Sequence, residues 1–367
     1  MSFHTTDHTA EPSPLAAYGW DEALEADFTP HRAAGLRPAR VVAVDRGRCD
    51  VVTESGPLRA GTRPVASADP AAGPCTGDWA ALRPGDQPEL AHLLPRRTAI
   101  VRSTVSREAR GQVLAANVDT VAIAVSLTDH LALGRVERLL ALAWESGARP
   151  VVVLTKADAV PGGTAEQEAA VAAAAPGVDV VACSATTGDG VDVVAAVLSG
   201  TVVLLGPSGA GKSTLGNALL GADPETGALE TGAVRERDGK GRHTTVRRDL
   251  LPMPGGGVLI DTPGLRRVGL WDAAEGIQQA FAEIEELAAG CRFGDCAHES
   301  EPGCAVLAAV EDGTLPSRRL DSYRKLMREN AWIAARSDAR LRAEQRDLWK
   351  TRMKAQRQMY KERGRDR

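Results

Sequence analysis

The sequence predicts three folded parts in series: a small β-barrel, a largely parallel α/β nucleotide-binding domain, and an α-helical domain organised by a metal. Three observations predict this. Short strands separated by turn signals fill residues 36–105. A phosphate-loop pattern, Gly206-Pro207-Ser208-Gly209-Ala210-Gly211-Lys212-Ser213, sits past the middle of the chain among alternating apolar strands and helices. Three cysteines and a histidine crowd residues 291–304 inside helical sequence.

The length of 367 residues predicts two or three domains. No apolar run approaches the ~20 residues that a membrane span needs. The first 29 residues lack a basic stretch followed by an apolar one, which argues against secretion. A cytoplasmic chain without membrane contact, and monomeric, is the expectation. Charge is unevenly placed. Residues 318–367 carry 17 Lys and Arg against 7 Asp and Glu, although the whole chain has net charge −4. A basic end on an acidic body suits a polyanion, with a solvated helical face as the plainer alternative.

The elements follow in order. Residues 1–35 read as a flexible leader. In 36–105, Val41-Val42-Ala43-Val44 and Cys49-Asp50-Val51-Val52-Thr53 flank the turn Asp45-Arg46-Gly47-Arg48. Some 65 residues of such strands suit an OB-type barrel, a common oligonucleotide platform. From 110 to 272, strands such as Val121–Val125, Val151–Leu154, Val178–Ala182 and Val202–Leu205 alternate with helices near 135–146, 165–175 and 191–198. That alternation builds a parallel sheet covered by helices. Leu250-Leu251 and Val258–Ile260 flank Pro254-Gly255-Gly256-Gly257 as a hairpin. Residues 273–345 read as a helical domain, and 346–367 as a basic helical tail with Trp349, Met353 and Tyr360 on one face.

The motifs specify the chemistry. In the phosphate loop, glycines let backbone N–H groups turn toward phosphate oxygens at a helix N-terminus. Lys212 is expected to reach the β- and γ-phosphates and Ser213 to ligate Mg²⁺, with Thr214 closing the nucleotide-binding run. Asp261-Thr262-Pro263-Gly264 follows an apolar strand some 50 residues later. Asp261 is placed to hold Mg²⁺ and Gly264 to offer its N–H to the γ-phosphate. Arg242-His243-Thr244-Thr245 lies between them in a Gly- and charge-rich segment, where Thr245, ahead of Thr244, is expected to complete the Mg²⁺ shell. Leu265 follows Gly264, where Ras-like enzymes carry a water-orienting glutamine. His243 is the candidate for that task.

Thr155-Lys156-Ala157-Asp158 ends a strand. A carboxylate there accepts from guanine N1–H and N2–H₂, a pairing adenine does not offer. Thr155 stands where asparagine is usual, so one amide tie to the phosphate loop is expected to be lost. Ser184-Ala185 follows the next strand, where a backbone N–H would meet guanine O6. This base motif precedes the phosphate loop, whereas an ordinary GTPase has it last. The order implies a circularly permuted GTPase that joins its magnesium switch to whatever lies C-terminal to it.

Cys291, Cys296, His298 and Cys304 form a Cys₃His set. Three thiolates and an imidazole suit closed, structural Zn²⁺. The alternative is reduced cysteines in a helical domain. Cys49, Cys75 and Cys183 are scattered and read as buried or incidental thiols.

On these motifs the chain resembles the small-ribosomal-subunit biogenesis GTPases, a circularly permuted family. The carrying residues are Gly206–Thr214, Arg242–Thr245, Asp261–Gly264 and the run from Cys291 to Val306, with Gly77-Asp78-Trp79 and Ala116-Asn117-Val118-Asp119 beside them. The likeness covers roughly residues 36–345. It implies an OB-fold, a permuted GTPase core and a zinc-binding helical domain. It also implies late assembly of the 30S subunit, contact with 16S rRNA, release of other assembly factors and GTPase activity stimulated by the subunit, with GTP, GDP and Mg²⁺ at the site. Two competing classes are a constitutive nucleic-acid binder with a merely structural nucleotide pocket, and an NTP-dependent small-molecule kinase. Intact Lys212, Ser213 and Asp261 oppose the first, and Asp158 with the barrel opposes the second.

Overall fold

The computed structural model describes residues 13–67, 69, 71–103, 111–222, 228–229, 248–261 and 273–337. Packing divides the chain into two units. One comprises Met1–Ile100, Val113–Ala132 and Gly147–Arg267, the other Val101–Gln112, Leu133–Ser146 and Val268–Arg367.

The first unit opens with a short 3₁₀ turn, Pro14–Tyr18, and helix α1, Glu22–Ala33. Asp21 caps α1, its carboxylate accepting the Leu24 N–H at 2.8 Å. Leu15, Leu24 and Phe28 pack with Val52, Trp79, Ala81 and Leu94. The expected flexible leader is therefore corrected over these residues. The i, i+4 pair Leu24 and Phe28 gives the helix an apolar face, and burying it on the barrel offsets the cost of ordering.

Strands β1 (Arg37–Asp45), β2 (Arg48–Thr53), β3 (Gly56–Gly61), β4 (Trp79–Arg83) and β5 (Glu89–Leu93) form a closed barrel in the order β1-β2-β3-β5-β4. Inward residues alternate along the strands, so Ala39, Val41, Cys49, Val51, Ala60, Ala80, Leu82 and Leu90 make its core. A register shift between Val41 and Ala43 bends β1. The closed five-strand order is that of an OB-like barrel.

β6 (Ala99–Ser103) and β7 (Gly111–Ala116) form a two-stranded sheet. Then come β8 (Thr120–Ser126), α2 (Leu133–Glu145), β9 (Arg149–Thr155), α3 (Ala165–Ala174), β10 (Asp179–Cys183), α4 (Val191–Val197), β11 (Thr201–Leu205), α5 (Lys212–Leu219), β12 (Leu250–Pro252) and β13 (Val258–Ile260). The main sheet runs β10-β9-β8-β11-β13-β12 and is parallel except for β12. Its central strands are continuous Val, Ile and Leu runs because both faces are covered.

Barrel and sheet meet through buried polar groups. Arg40 is 1% exposed, stacks 4.4 Å over the Trp79 ring, and donates to Thr201 Oγ1 at 3.0 Å. Burial pulls its guanidinium down to about 10, against the carboxylates of Asp119 and Asp78, so it remains charged at neutral pH. Asn117 donates from Nδ2 to the Gly77 carbonyl at 3.0 Å and accepts the Arg97 N–H at 3.0 Å. A Cβ on Gly77 would fall 2.2 Å from the Ala116 oxygen, which only glycine at its φ of +93° avoids. Asp78, fully buried, is gripped at both oxygens by Arg96 at 2.7 and 2.8 Å.

The second unit contains α2, α6 (Ala274–Ala280), α7 (Ala282–Ala288), α8 (Ala305–Glu311) and α9 (Ser317–Ser337). α2 lies in sequence between β8 and β9 yet packs here. A Cβ on Gly276 would fall 2.1 Å from the Ala141 oxygen, so the two helices touch backbone to backbone. Buried Glu137 of α2 accepts from Arg318 at 2.7 Å and Arg319 at 2.9 Å, and Arg319 lies 4.3 Å over the Phe281 ring. The helical part thus recruits a helix from within residues 110–272, where sequence pattern alone had placed a domain edge at 273.

Arg96→Ala takes the charged partner from the buried Asp78 carboxylate and leaves it the Cys75 N–H alone. The expected cost is about 3–5 kcal/mol of folding stability. Urea unfolding checks it; a loss below ~1 kcal/mol would mean that Asp78 finds water or another partner.

Candidate nucleotide and metal sites

Four loops gather at the carboxyl ends of β8, β9, β10 and β11, the edge where open α/β sheets bind ligands. β11 ends at Leu205 and α5 starts at Lys212, leaving 206–211 as the turn. Gly206, Gly209 and Gly211 have φ of +148°, +82° and +76°. A Cβ on Gly206 would meet the Ala124 oxygen at 2.5 Å, so the loop passes close over β8. Lys212 Nζ donates to the Gly206 and Pro207 carbonyls at 3.0 and 2.7 Å, holding its charge in the mouth of the loop. Ser208 and Gly209 are exposed, Pro207, Gly211, Lys212 and Ser213 half-buried, Ala210 buried and Thr214 exposed. Turned backbone amides, a helix start and a lysine make a polyphosphate cradle.

Thr155 ends β9 and is 2% exposed. Its hydroxyl donates to the Ala210 carbonyl at 2.8 Å. This corrects the expected loss of the tie between base loop and phosphate loop: the shorter side chain still makes it. Lys156 has φ +63° and reaches Thr128 Oγ1 at 3.3 Å. Ala157 is half-buried, and Asp158 is exposed with no partner among the described residues. In the neighbouring loop, Ser184 Oγ accepts the Thr187 N–H at 3.2 Å and the Ser184 N–H donates to the Asp189 oxygen at 2.8 Å. Ala185 keeps its N–H without a partner among the described residues. Asp158 and the Ala185 N–H thus stand in the loops that follow two adjacent parallel strands, one an acceptor and one a donor.

Asp261 directly follows β13, and its N–H donates to the Asp249 oxygen at 3.0 Å. His243, Thr244, Thr245 and Gly264 lie outside the described residues. Ser213, on the first turn of α5, and Asp261 are the described oxygen donors suited to Mg²⁺ beside a nucleotide phosphate.

In the helical unit, the ligand atoms of Cys291, Cys296, His298 and Cys304 all lie within 4.8 Å of one another. Cys291 Sγ is 3.8 Å from Cys304 Sγ and 3.6 Å from His298 Nδ1, and the last two are 3.4 Å apart. A tetrahedron with metal–sulfur bonds of ~2.3 Å and metal–nitrogen bonds of ~2.0–2.1 Å has edges of roughly 3.8 and 3.6 Å. The residues therefore fit a four-coordinate metal. Burial raises the Cys291 thiol, but the N–H groups of Val306 and Ala305 outweigh it and hold the thiol below its ordinary value. The neighbouring Cys296 thiol is pushed the other way, up to about 11, first by burial. His298 sits at φ +58°, a backbone cost that ligation would offset.

Three residues of consequence were not singled out by sequence: Thr76, Arg40 and Arg96. Each works through neighbours distant in the chain, and no local pattern signals that.

Fold and sites together define a class: a P-loop GTPase whose base-recognition strands precede its phosphate loop, with an OB-like barrel before the core and a Cys/His-bearing helical unit after it. A family profile described as RsgA GTPase matches residues 93–271. A small ribosomal subunit biogenesis GTPase RsgA from Streptomyces avermitilis is 60% identical over 95% of this chain and 93% of its own length. One from Opitutus terrae is 42% identical over 96% and 99%. The chain belongs to the RsgA GTPase family, and is thus a GTP hydrolase. The crystal structure of YjeQ from Thermotoga maritima shares the fold at a TM-score of 0.59 and 24% identity, covering 80% of this chain and 98% of that one. YloQ, a circularly permuted GTPase, does so at 0.57 and 22%, covering 80% and 95%.

Thr155→Val removes the hydroxyl tie and keeps the shape. It is expected to cost about 1 kcal/mol of nucleotide binding, roughly fivefold for GDP and GTP alike. Thr155→Asn is expected to stay within about twofold of wild type. Titration with fluorescent GDP reads both; equal affinity in all three proteins would remove the tie from the account of binding.

Proposed function

We propose that this chain is a GTP-hydrolysing assembly factor of the small ribosomal subunit. The observation that carries the reading is its end-to-end likeness to relatives named for that role, 60% identical over 95% of the chain. The geometry supports it, because the phosphate loop and the loops after β9 and β10 lie on the same unit as an OB-like barrel, a fold suited to RNA. Thr155, Lys156, Ala157, Asp158, Ser184 and Ala185 receive the base, and Gly206–Thr214 the phosphates. Ser213, Thr245 and Asp261 hold Mg²⁺, which neutralises charge on the transferring phosphoryl group. Lys212 and the Gly264 N–H stabilise that charge as it develops. His243 orients the attacking water in place of a glutamine. The metal at Cys291, Cys296, His298 and Cys304 is one structural zinc.

Partners are 16S rRNA within the 30S subunit, which stimulates hydrolysis, and other assembly factors that leave when it occurs. The protein acts as a cytoplasmic monomer; no helix among the described residues is long and apolar enough to cross a membrane.

Phosphate release from GTP is expected to be slow alone, on the order of 10⁻⁴ to 10⁻³ s⁻¹ for an unassisted site, and to rise at least ~10²-fold with 30S but not 50S subunits. Lys212→Ala is expected to abolish it. Equal rates with and without 30S would sink the assembly reading while leaving the GTPase intact.

Metal analysis is expected to find about one zinc per chain, lost in Cys304→Ser together with part of the helical circular-dichroism signal. A full complement of iron, or none of either metal in folded protein, would reject the zinc assignment.

A further inference from the structure

Between the second and fourth metal ligands, the backbone of the helical unit is held by a residue outside the Cys₃His set. The Glu301 carboxylate accepts the Ala297 N–H at Oε1, 3.0 Å away. Its Oε2 accepts the Glu299 and Ser300 N–H groups at 2.8 and 3.0 Å. The remaining N–H of this run, that of His298, faces the Cys296 sulfur. Every backbone N–H from 297 to 300 is thus aimed at one carboxylate or at a ligand sulfur. Successive amides turned to one side make a concavity suited to an anion. Here the anion is built into the chain, and its charge strengthens all three bonds.

Glu301 also reaches forward, its carbonyl accepting the Cys304 N–H at 3.3 Å. It stands three residues after His298 and three before Cys304, with a polar group on the backbone at each side. His298 is buried, and its Nδ1 lies 3.4 Å from the Cys304 sulfur. It is one of three non-glycine residues at positive φ among the described residues. Such a backbone persists only where its surroundings hold it. The bonds from Ala297 and Glu299 to Glu301 bracket His298 on both sides. Both Glu301 oxygens are occupied by N–H groups, so the carboxylate does not compete as a ligand.

We propose that Glu301 is a positioning residue for the metal: its carboxylate holds the loop 297–300 in the fold that presents His298 Nδ1 to the three thiolates. A ligand loop kept in its binding geometry loses less conformational freedom when the metal binds, so removing the brace lowers affinity. The inference rests on the reading of Cys291, Cys296, His298 and Cys304 as a zinc site.

The test titrates full-length, zinc-loaded protein with a chromophoric chelator and reads affinity from zinc transfer at equilibrium. Glu301→Ala is expected to weaken zinc binding by ~10- to 100-fold, the usual effect of removing a group that orients metal ligands. Glu301→Gln keeps one oxygen acceptor but not the charge, and is expected to fall between wild type and alanine. Asp312→Asn is the control. The Asp312 carboxylate braces the loop after α8 by accepting the Thr314 N–H at 2.9 Å, eight residues beyond Cys304. That variant is expected to keep wild-type affinity. Saturated with Co²⁺, the Glu301 variants are expected to give the wild-type four-coordinate thiolate spectrum, because the ligands themselves are intact. Wild-type zinc affinity in Glu301→Ala, or in Glu301→Gln where alanine does not fold, overturns the proposal. So does an equal loss in Asp312→Asn, which marks general destabilisation of the helical unit. A changed cobalt spectrum overturns it too, since the ligand set would then have been altered. Wild-type protein that holds no zinc rejects the metal reading itself, and this inference with it.

Discussion

The polar seam between barrel and sheet is the constraint on which the first unit depends. An apolar seam of similar area would hold the two parts together without fixing their register. This one has a buried guanidinium stacked on Trp79 and bonded to Thr201, and an asparagine bonded on both sides. Removing a buried charge from water costs several kcal/mol, and here the Trp79 face and the Thr201 hydroxyl offset it only in one relative placement of the two parts. Thr201 begins β11, which runs five residues to Leu205 and the phosphate loop. The barrel is therefore registered against the strand that places the nucleotide phosphates.

That registration bears on the permutation. In a parallel sheet the loops at the carboxyl ends make the site, and the site is indifferent to the order in which the chain visits the strands. Here β8, β9 and β10 come before β11, yet Thr155 at the end of β9 still bonds the phosphate loop after β11. What the permutation changes is the identity of the flanking chain. The barrel leads into β8 through β6 and β7, and Asp261 leads on toward the helical unit.

Much of this was legible in sequence. The phosphate loop, the base motif and the Cys₃His set are local patterns whose spacing follows from the geometry of one turn, and the structure gathers their described members where that spacing implies. The α/β alternation was legible because buried parallel strands are runs of Val, Ile and Leu. Helix α1 was read as leader because its apolar face is only Leu24 and Phe28, and the signal lies in what it packs against, Trp79 and Leu94. The allegiance of α2 was hidden for a related reason. Its periodicity announces a helix but not which unit buries it; that is settled by Gly276 and by the Glu137–Arg319 pair, residues far apart in the chain.

The threonine at 155 shows how a departure from a motif is best judged. Motif comparison scores it as a lost amide, whereas geometry asks whether any donor still reaches Ala210. A hydroxyl one bond shorter than an amide succeeds because β9 ends beside the phosphate loop, close enough for Thr155 to reach the Ala210 carbonyl at 2.8 Å. An alanine at 211 would strain the phosphate loop at its φ of +76° while standing in ordinary contact with Thr155, and the Thr155–Ala210 bond would pass a shift of that loop on to the base half of the site.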